Sequence, residues 1–333
     1  MVKIINKTEF TPSTKTTQPK SSSLTIEFKC DTPIIGNTIR RVAMEYIPTY
    51  AFCADTIKIE ENTSIFDNDY MKLRLSQLPI LNINNNISYL LPQYINMNHD
   101  DKNKVRHNRD TIEINAYINI TNTTQTIMNV TTDNMDFYVN SNKIPNAYEK
   151  TGPILLIQLR PTEKFVCSMN GVLGIGDTNN IWSSVSNAYY EYDDEKKKIL
   201  LTLESQGQYD EFEILIKVCN NIILKLGEIE NNLPEMDNNK DEIFTEIEIN
   251  NNNYTICGVI NYYLQLHDNI TFCGITKPDY SQKKIVFRIR GTNIIDSFKL
   301  ALSQVNEYYS NFGKSIYEIG QKYIREELLE YIL

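Results

Sequence analysis

The chain has 333 residues, 41% of them hydrophobic and 10% aromatic, and its 42 acidic residues outnumber 33 lysines and arginines to give a net charge of −9 at pH 7. That is enough apolar material for two or three modest cores, and no apolar run approaches the length of a membrane span, so no membrane partner is expected. The acidic balance argues against a surface that holds phosphate backbones by counterion release, so no direct nucleic-acid partner is expected either.

Residues 1–21 are rich in Ser, Thr, Lys and Pro without a continuous apolar stretch, and are expected to be a flexible N-terminus, neither a signal peptide nor a packed element. Alternation follows, with Leu24, Ile26 and Phe28 on one face of a strand and Thr25, Glu27 and Lys29 on the other. Asp31 or Thr32 then caps a helix with Pro33 at its first position. On that helix Ile35, Ile39, Val42 and Tyr46 recur at steps of four and three and make an apolar stripe, beside which stand Arg40 and Arg41. Tyr50 to Ile59 reads as a strand and Glu60, Glu61, Asn62, Thr63 and Ser64 as its turn. A helix from Phe66 to Leu78 is expected to bury Phe66, Tyr70 and Leu73 before Pro79 ends it.

Residues 80–179 change character, with Asn-rich loops between short alternating stretches at Thr111–Ile120, Thr126–Thr131, Met135–Val139 and Pro153–Cys167, which predicts an inserted β-rich domain. Within it, Gly171-Val-Leu-Gly-Ile-Gly176 lacks the spacing and the following helix of a phosphate loop and reads as a turn. His99 and His107, near Asp100, Asp101 and Asp110, read as exposed loop residues rather than a metal site. Tyr189–Tyr192 and Ile199–Glu204 return the chain to the first sheet. A long amphipathic helix follows through Phe212, Leu215, Ile216, Cys219, Ile222, Ile223, Leu226 and Ile229, and residues 233–241, polar and containing Pro234, form a linker.

About two hundred residues after the first helix the chain repeats its pattern. Ile247 and Ile249 lie in a strand-like run, Thr255-Ile-Cys-Gly-Val-Ile260 stands where Ile34-Ile-Gly-Asn-Thr-Ile39 stood, and Thr271-Phe-Cys-Gly274 echoes Ala51-Phe-Cys-Ala54. A second long helix carries Ile294, Phe298, Ala301, Leu302, Val305, Tyr308, Tyr309 and Phe312, and a helical pattern continues past Gly313. Two like units in one chain, each with an apolar stripe to cover, imply an intramolecular pseudo-dimer of α+β class with Ile35, Ile39, Val42, Ile256, Ile260, Phe298 and Leu302 in its core. The six cysteines, Cys30, Cys53, Cys167, Cys219, Cys257 and Cys273, stand singly, without the close pairs that zinc and iron–sulfur sites draw on, so neither a metal nor a cofactor is expected.

The first unit resembles the dimerisation module of cellular RNA polymerases, namely the bacterial alpha subunit, its D-type archaeal counterpart and the third-largest eukaryotic subunit. The likeness rests on Gly36-Asn-Thr-Ile-Arg-Arg41, Ile47-Pro-Thr49, Ile59-Glu-Glu-Asn-Thr-Ser64 and Tyr70-Met-Lys-Leu-Arg-Leu-Ser-Gln-Leu-Pro79. Gly174, Gly176, Trp182, Ser183 and Val185 keep the register of a further family pattern, whose His, Ala, Lys and Pro have become Asn179, Asn180, Ile181 and Ser184. The second unit resembles the small L-type archaeal polypeptide and its eukaryotic counterpart through Thr255–Ile260, Phe272-Cys-Gly274, Pro278 and Lys284-Ile-Val-Phe-Arg-Ile-Arg290. Such a fusion of two chains is similar to the fused polymerase subunit of large cytoplasmic DNA viruses.

The resemblance implies two alpha-subunit-like dimerisation units in one chain. The first covers residues 22–79 and 180–232 around the insert, the second covers 242–325, and residues 326–333 are a tail. It implies a non-catalytic assembly subunit of a DNA-directed RNA polymerase, acting in the host cytoplasm and in the virion. The implied partners are the largest and second-largest polymerase subunits and small zinc-binding ones. It also implies that Asn37, Arg40, Arg41 and Glu60, Glu61, Asn62, Thr63 and Ser64 face the second-largest subunit. The alternative is a stand-alone enzyme using exposed carboxylates, Glu60 and Glu61 or Asp193–Glu195, in general acid–base chemistry, though no nucleophile elbow, catalytic histidine arrangement or cofactor loop accompanies them.

Overall fold

The computed structural model describes residues 2–11, 21–81, 83, 86–97, 112–145, 148, 152–233, 244–249, 254–278 and 284–324. Strand β1 (Val2–Thr8) pairs antiparallel with β2 (Ser23–Lys29), whose Leu24, Ile26 and Phe28 are buried as their alternation predicts. Helix α1 (Pro33–Glu45) is capped by Thr32, whose side chain accepts from the Ile34 N–H, and buries Ile35, Ile39 and Val42. Then come β3 (Thr49–Asn62), α2 (Asn68–Ser76) and α3 (Pro92–Ile95). The chain continues through β4 (Ile114–Thr121), β5 (Met128–Thr131), β6 (Asp136–Val139), β7 (Asn142–Lys143), β8 (Leu155–Leu159), β9 (Lys164–Gly174), β10 (Val185–Asp193) and β11 (Lys198–Ser205). Helix α4 (Glu211–Asn231), β12 (Thr245–Ile249), α5 (Tyr254–Gln265), β13 (Ile270–Thr276), β14 (Ile285–Gly291) and α6 (Ile294–Gly320) complete it.

The described residues form three sheets and a ribbon. A four-stranded sheet of order β1-β2-β11-β10 packs against α1 and α4, and a three-stranded sheet of order β12-β14-β13 packs against α5 and α6. The four helices also pack on one another, so that both sheets and all four helices share one apolar core. The other sheet, of order β3-β9-β4-β6-β7, has its own core together with α2 and the β5-β8 ribbon.

Several expectations change on contact with this packing. The N-terminus is not wholly flexible: residues 2–8 form the outermost strand of the first sheet, held by the ladder to β2 and by Lys7 rather than by an apolar run, which is why composition missed it. Residues 12–20 lie outside the described residues, as do His99, His107, Asp100, Asp101, Asp110, all of the 233–241 linker except Leu233, and the 326–333 tail.

The boundary at residue 79 does not follow the packing either. Strand β3 is laddered to β9 at Thr49–Phe52, Ile57–Ile59 and Glu61–Asn62, and Met71, Leu75 and Leu78 join the core of that five-stranded sheet, so residues 49–79 pack with it. Glu60, Glu61 and Asn62 are not a turn, because β3 runs on through them with Glu61 opposite Val166 and Asn62 opposite Phe165. On α2 the apolar stripe faces outward: Tyr70 is 42% and Leu73 61% exposed, while Met71 and Leu75, one turn apart, are the residues that reach the core. Gly171 and Gly174 are not in a turn but inside β9, where each lies under a neighbouring side chain, Ile114 and Trp182 respectively.

Candidate assembly interface

The helix layer comes first because it positions everything else. Ile35, Ile39 and Val42 of α1, Ile256 and Ile260 of α5, and Phe298 and Leu302 of α6 are all buried in the shared core, each side chain worth about 1.5–3 kcal/mol of burial. Where α4 and α6 meet, Gly313 faces Cys219, and a Cβ there would sit at an ordinary contact distance of 3.5 Å. Phe312 of α6 meets Phe28 of β2 edge-on at 5.0 Å, and Phe298 meets Phe287 likewise at 5.2 Å. Gly258, at the repeat position of Asn37, faces open space, whereas Cys257 beside it is buried.

The outward face of α1 carries the predicted partner residues. Arg40 donates from Nη2 and Nε to Asn37 Oδ1 at 2.9 and 3.3 Å, and from Nη1 toward the Met44 sulfur at 3.6 Å. Arg41 grips Glu45 with Nε at 3.0 Å and Nη2 at 2.9 Å. The two arginines therefore differ: Arg41 is paired with a carboxylate on its own helix, while Arg40 is held there by a neutral amide and a thioether.

At the end of β3, Glu61 pairs with Lys164 at 2.6 Å, and Thr63 exchanges bonds with the Lys164 backbone. Asn62 donates to the Phe66 carbonyl and to Asn68 and accepts from Ser64, so that this corner is stiff. Glu60 is exposed. Asn37 and Arg40 are thus brought together, and 62–64 are brought together, but no hydrogen bond or ion pair among the described residues joins the two groups.

The C-terminal end of α1 is closed by the segment that follows β9. Asp177 N–H donates to the Glu45 carbonyl and Ser184 Oγ to the Ala43 carbonyl, both at 2.8 Å, which satisfies acceptors left open at a helix end. Trp182 donates its indole N–H to the Val172 carbonyl at 2.8 Å and lies on Gly174. Of these residues Gly174 and Trp182 keep the register noted above while Ser184 departs from it, and together they tie the end of β9 to the first helix.

A polar row on α4 escaped sequence reasoning. Glu213, Lys217, Asn221 and Lys225, each four residues from the next, are all buried. Lys217 Nζ donates to the Ile87 carbonyl at 3.0 Å and lies over the Tyr209 ring; Asn221 Nδ2 donates to the carbonyls of Ser88 at 2.8 Å and Tyr46 at 3.1 Å. Lys225 Nζ stands 3.6 Å from the centre of the Tyr46 ring, and Tyr89 beside it donates to Glu228 at 2.6 Å. Burial pulls Lys225 down to about 7, against the pull of Asp177, Glu228, Glu45 and the ring face. A period-four polar series inside an otherwise apolar helix was the signal that could have found this row.

Chemistry of other kinds has little support here. All six cysteines are free and buried, and no group of three or more metal-ligating side chains occurs among the described residues. Asp193 is half-buried and Asp194 exposed, and the backbone of Lys196 and the side chain of Lys197 respectively hold them below the usual carboxylate range, the wrong direction for an acid working near neutrality.

A family model described as the RNA polymerase Rpb3/Rpb11 dimerisation domain matches residues 26–226, from β2 into α4 and more than half of the chain. A protein of Acanthamoeba polyphaga mimivirus, named as a DNA directed RNA polymerase subunit, is 24% identical over 276 residues, covering 76% of each chain. The chain therefore belongs to the RNA polymerase Rpb3/Rpb11 dimerisation domain family, a structural rather than a catalytic part of the polymerase.

Proposed function

We propose that this chain is the assembly platform of a viral DNA-directed RNA polymerase, a pseudo-heterodimer within one polypeptide. In this reading the first unit is built on β1, β2, β10, β11, α1 and α4, the second on β12–β14, α5 and α6, and residues 233–241 join them. The observation that carries it is the single apolar core shared by two sheets and four helices, to which Ile39 and Ile260 contribute from equivalent repeat positions. Separate chains would have to find each other by diffusion; a linker holds the second unit at high effective concentration. The platform nucleates binding of the largest and second-largest subunits, together with small zinc-binding subunits, in the host cytoplasm and for packaging into the virion.

Arg40, Asn37 and the 60–64 corner form the contact to the second-largest subunit. A guanidinium already oriented by Asn37 loses little freedom on pairing with a partner carboxylate or carbonyl. Replacing Arg40 and Arg41 together by Glu is expected to leave the isolated protein folded and to weaken its capture of the second-largest subunit by about tenfold or more. Undiminished capture by the folded variant removes this face from the interface. A polymerase that assembles fully without the protein removes the platform reading itself.

A further inference from the structure

We propose that β1 is a clasp that fixes where the end of α6 docks, and so closes the two halves of the chain on each other; this rests on the pseudo-heterodimer reading. The clasp is built around Lys7. Its side chain is 8% exposed and its Nζ binds Asp210 Oδ2 at 2.8 Å and also Glu211, whose side chain is wholly buried. Asp210 Oδ1 caps α4 by accepting from the Phe212 N–H, and Glu211 accepts from the Ser205 N–H.

The same ammonium lies over two rings, 5.6 Å from the centre of Phe212 on α4 and 5.1 Å from that of Tyr323, just past the end of α6. Those rings are stacked 5.3 Å apart with planes 11° from parallel. Gly320 makes the approach possible, because a Cβ there would lie 2.6 Å from the Phe212 ring. Ile324 then enters the shared core.

The physical order of dependence follows from charge. A buried carboxylate needs a cation beside it, and for Glu211 the strand at the other end of the chain brings that cation, Lys7. Once neutralised, the start of α4 offers an apolar, aromatic-faced seat that Tyr323 fills with its ring against both Phe212 and the ammonium. The first strand thus prepares the surface on which the last helix is anchored.

Hydrogen exchange on the full chain tests this with two variants. Tyr323→Ala keeps the ion pairs, and Lys7→Met with Asp210→Asn and Glu211→Gln removes the cation together with both carboxylates it neutralises. Both are expected to speed exchange of the amides of residues 312–320 by about tenfold or more, while residues 35–42 and 256–264 keep wild-type protection. Unchanged exchange at 312–320 in Tyr323→Ala overturns the clasp. In a second experiment a protease site is placed within 234–243 and the folded chain is cut. The clasp predicts that wild-type fragments stay together on gel filtration at concentrations where variant fragments separate, and equal persistence of both overturns it. Wild-type fragments that part at once would instead strike the pseudo-heterodimer reading beneath it.

Discussion

Trp182 rests on the bare Cα of Gly174, where an added Cβ would lie 2.5 Å from the indole. Gly174→Ala must move a ring whose N–H donates to the Val172 carbonyl, in a residue whose backbone carbonyl accepts from Thr49 Oγ1, so a loss of about 1–3 kcal/mol is expected in urea unfolding. An unshifted midpoint would show that the ring gives way freely. Lys225 makes a second case. The folded protein holds its proton less tightly, with a pKa near 7, than the unfolded chain, at about 10.4, so between these values the unfolded state binds more protons and stability rises with pH. Lys225→Met is expected to flatten that rise, which denaturation midpoints at pH 6.5 and 8.5, chosen as roughly flanking the lower pKa, would register; an identical slope in both proteins contradicts the assignment. Ile35, Ile39 and Val42 were legible in the sequence, since their stripe at steps of four and three runs through a full-length capped helix that has a single apolar side. Lys225 and Lys217 were not, because a lysine in a helix pattern is ordinarily solvated and only the tertiary position of Tyr46, Ile87 and Tyr209 makes burial tolerable.

Among the elements, α4 has two kinds of face. Its apolar side meets α6 and the first sheet, while Lys217 and Asn221 of the polar row hold the Ile87, Ser88 and Tyr46 carbonyls. Asn221→Leu would leave the Ser88 and Tyr46 carbonyls without this donor, at about 1–3 kcal/mol for each one left unpaired. Calorimetry should show that loss; a wild-type melting temperature would mean that water replaces the amide. Helix α2 shows where pattern reading fails. Phe66, Tyr70 and Leu73 have helical spacing, yet Phe66 alone of the three packs against the core, stacked at 5.0 Å on an exposed Tyr70, while Met71 and Leu75 are the residues that the helix buries. A short helix with apolar residues on two sides does not declare which one the sheet takes. Strand β1 was unreadable for a related reason: its security comes from a ladder and an ion pair more than two hundred residues away in sequence.

At the scale of the molecule, the runs Ala51–Ala54 and Thr271–Gly274 that match in sequence fall in different sheets, β3 beside β9 and β13 beside β14, because ladder partners are invisible to local pattern. With its six cysteines buried singly, the protein is expected to keep its melting temperature in the presence of chelators, and elemental analysis that finds stoichiometric zinc would contradict this. The placement of the insert has one more consequence, for the time course of synthesis. Strand β2 finds its neighbour β11 only across the whole inserted sheet, and the hydroxyls of Thr25 and Thr202, 3.0 Å apart in space, are 177 residues apart along the chain. A ribosome releases every strand of the five-stranded sheet before it releases β11, so that sheet can finish first while β2 and α1 wait with their apolar faces uncovered. The early helix is thus the stretch most exposed to wrong partners during translation, and its protection depends on how quickly the last hundred or so residues follow.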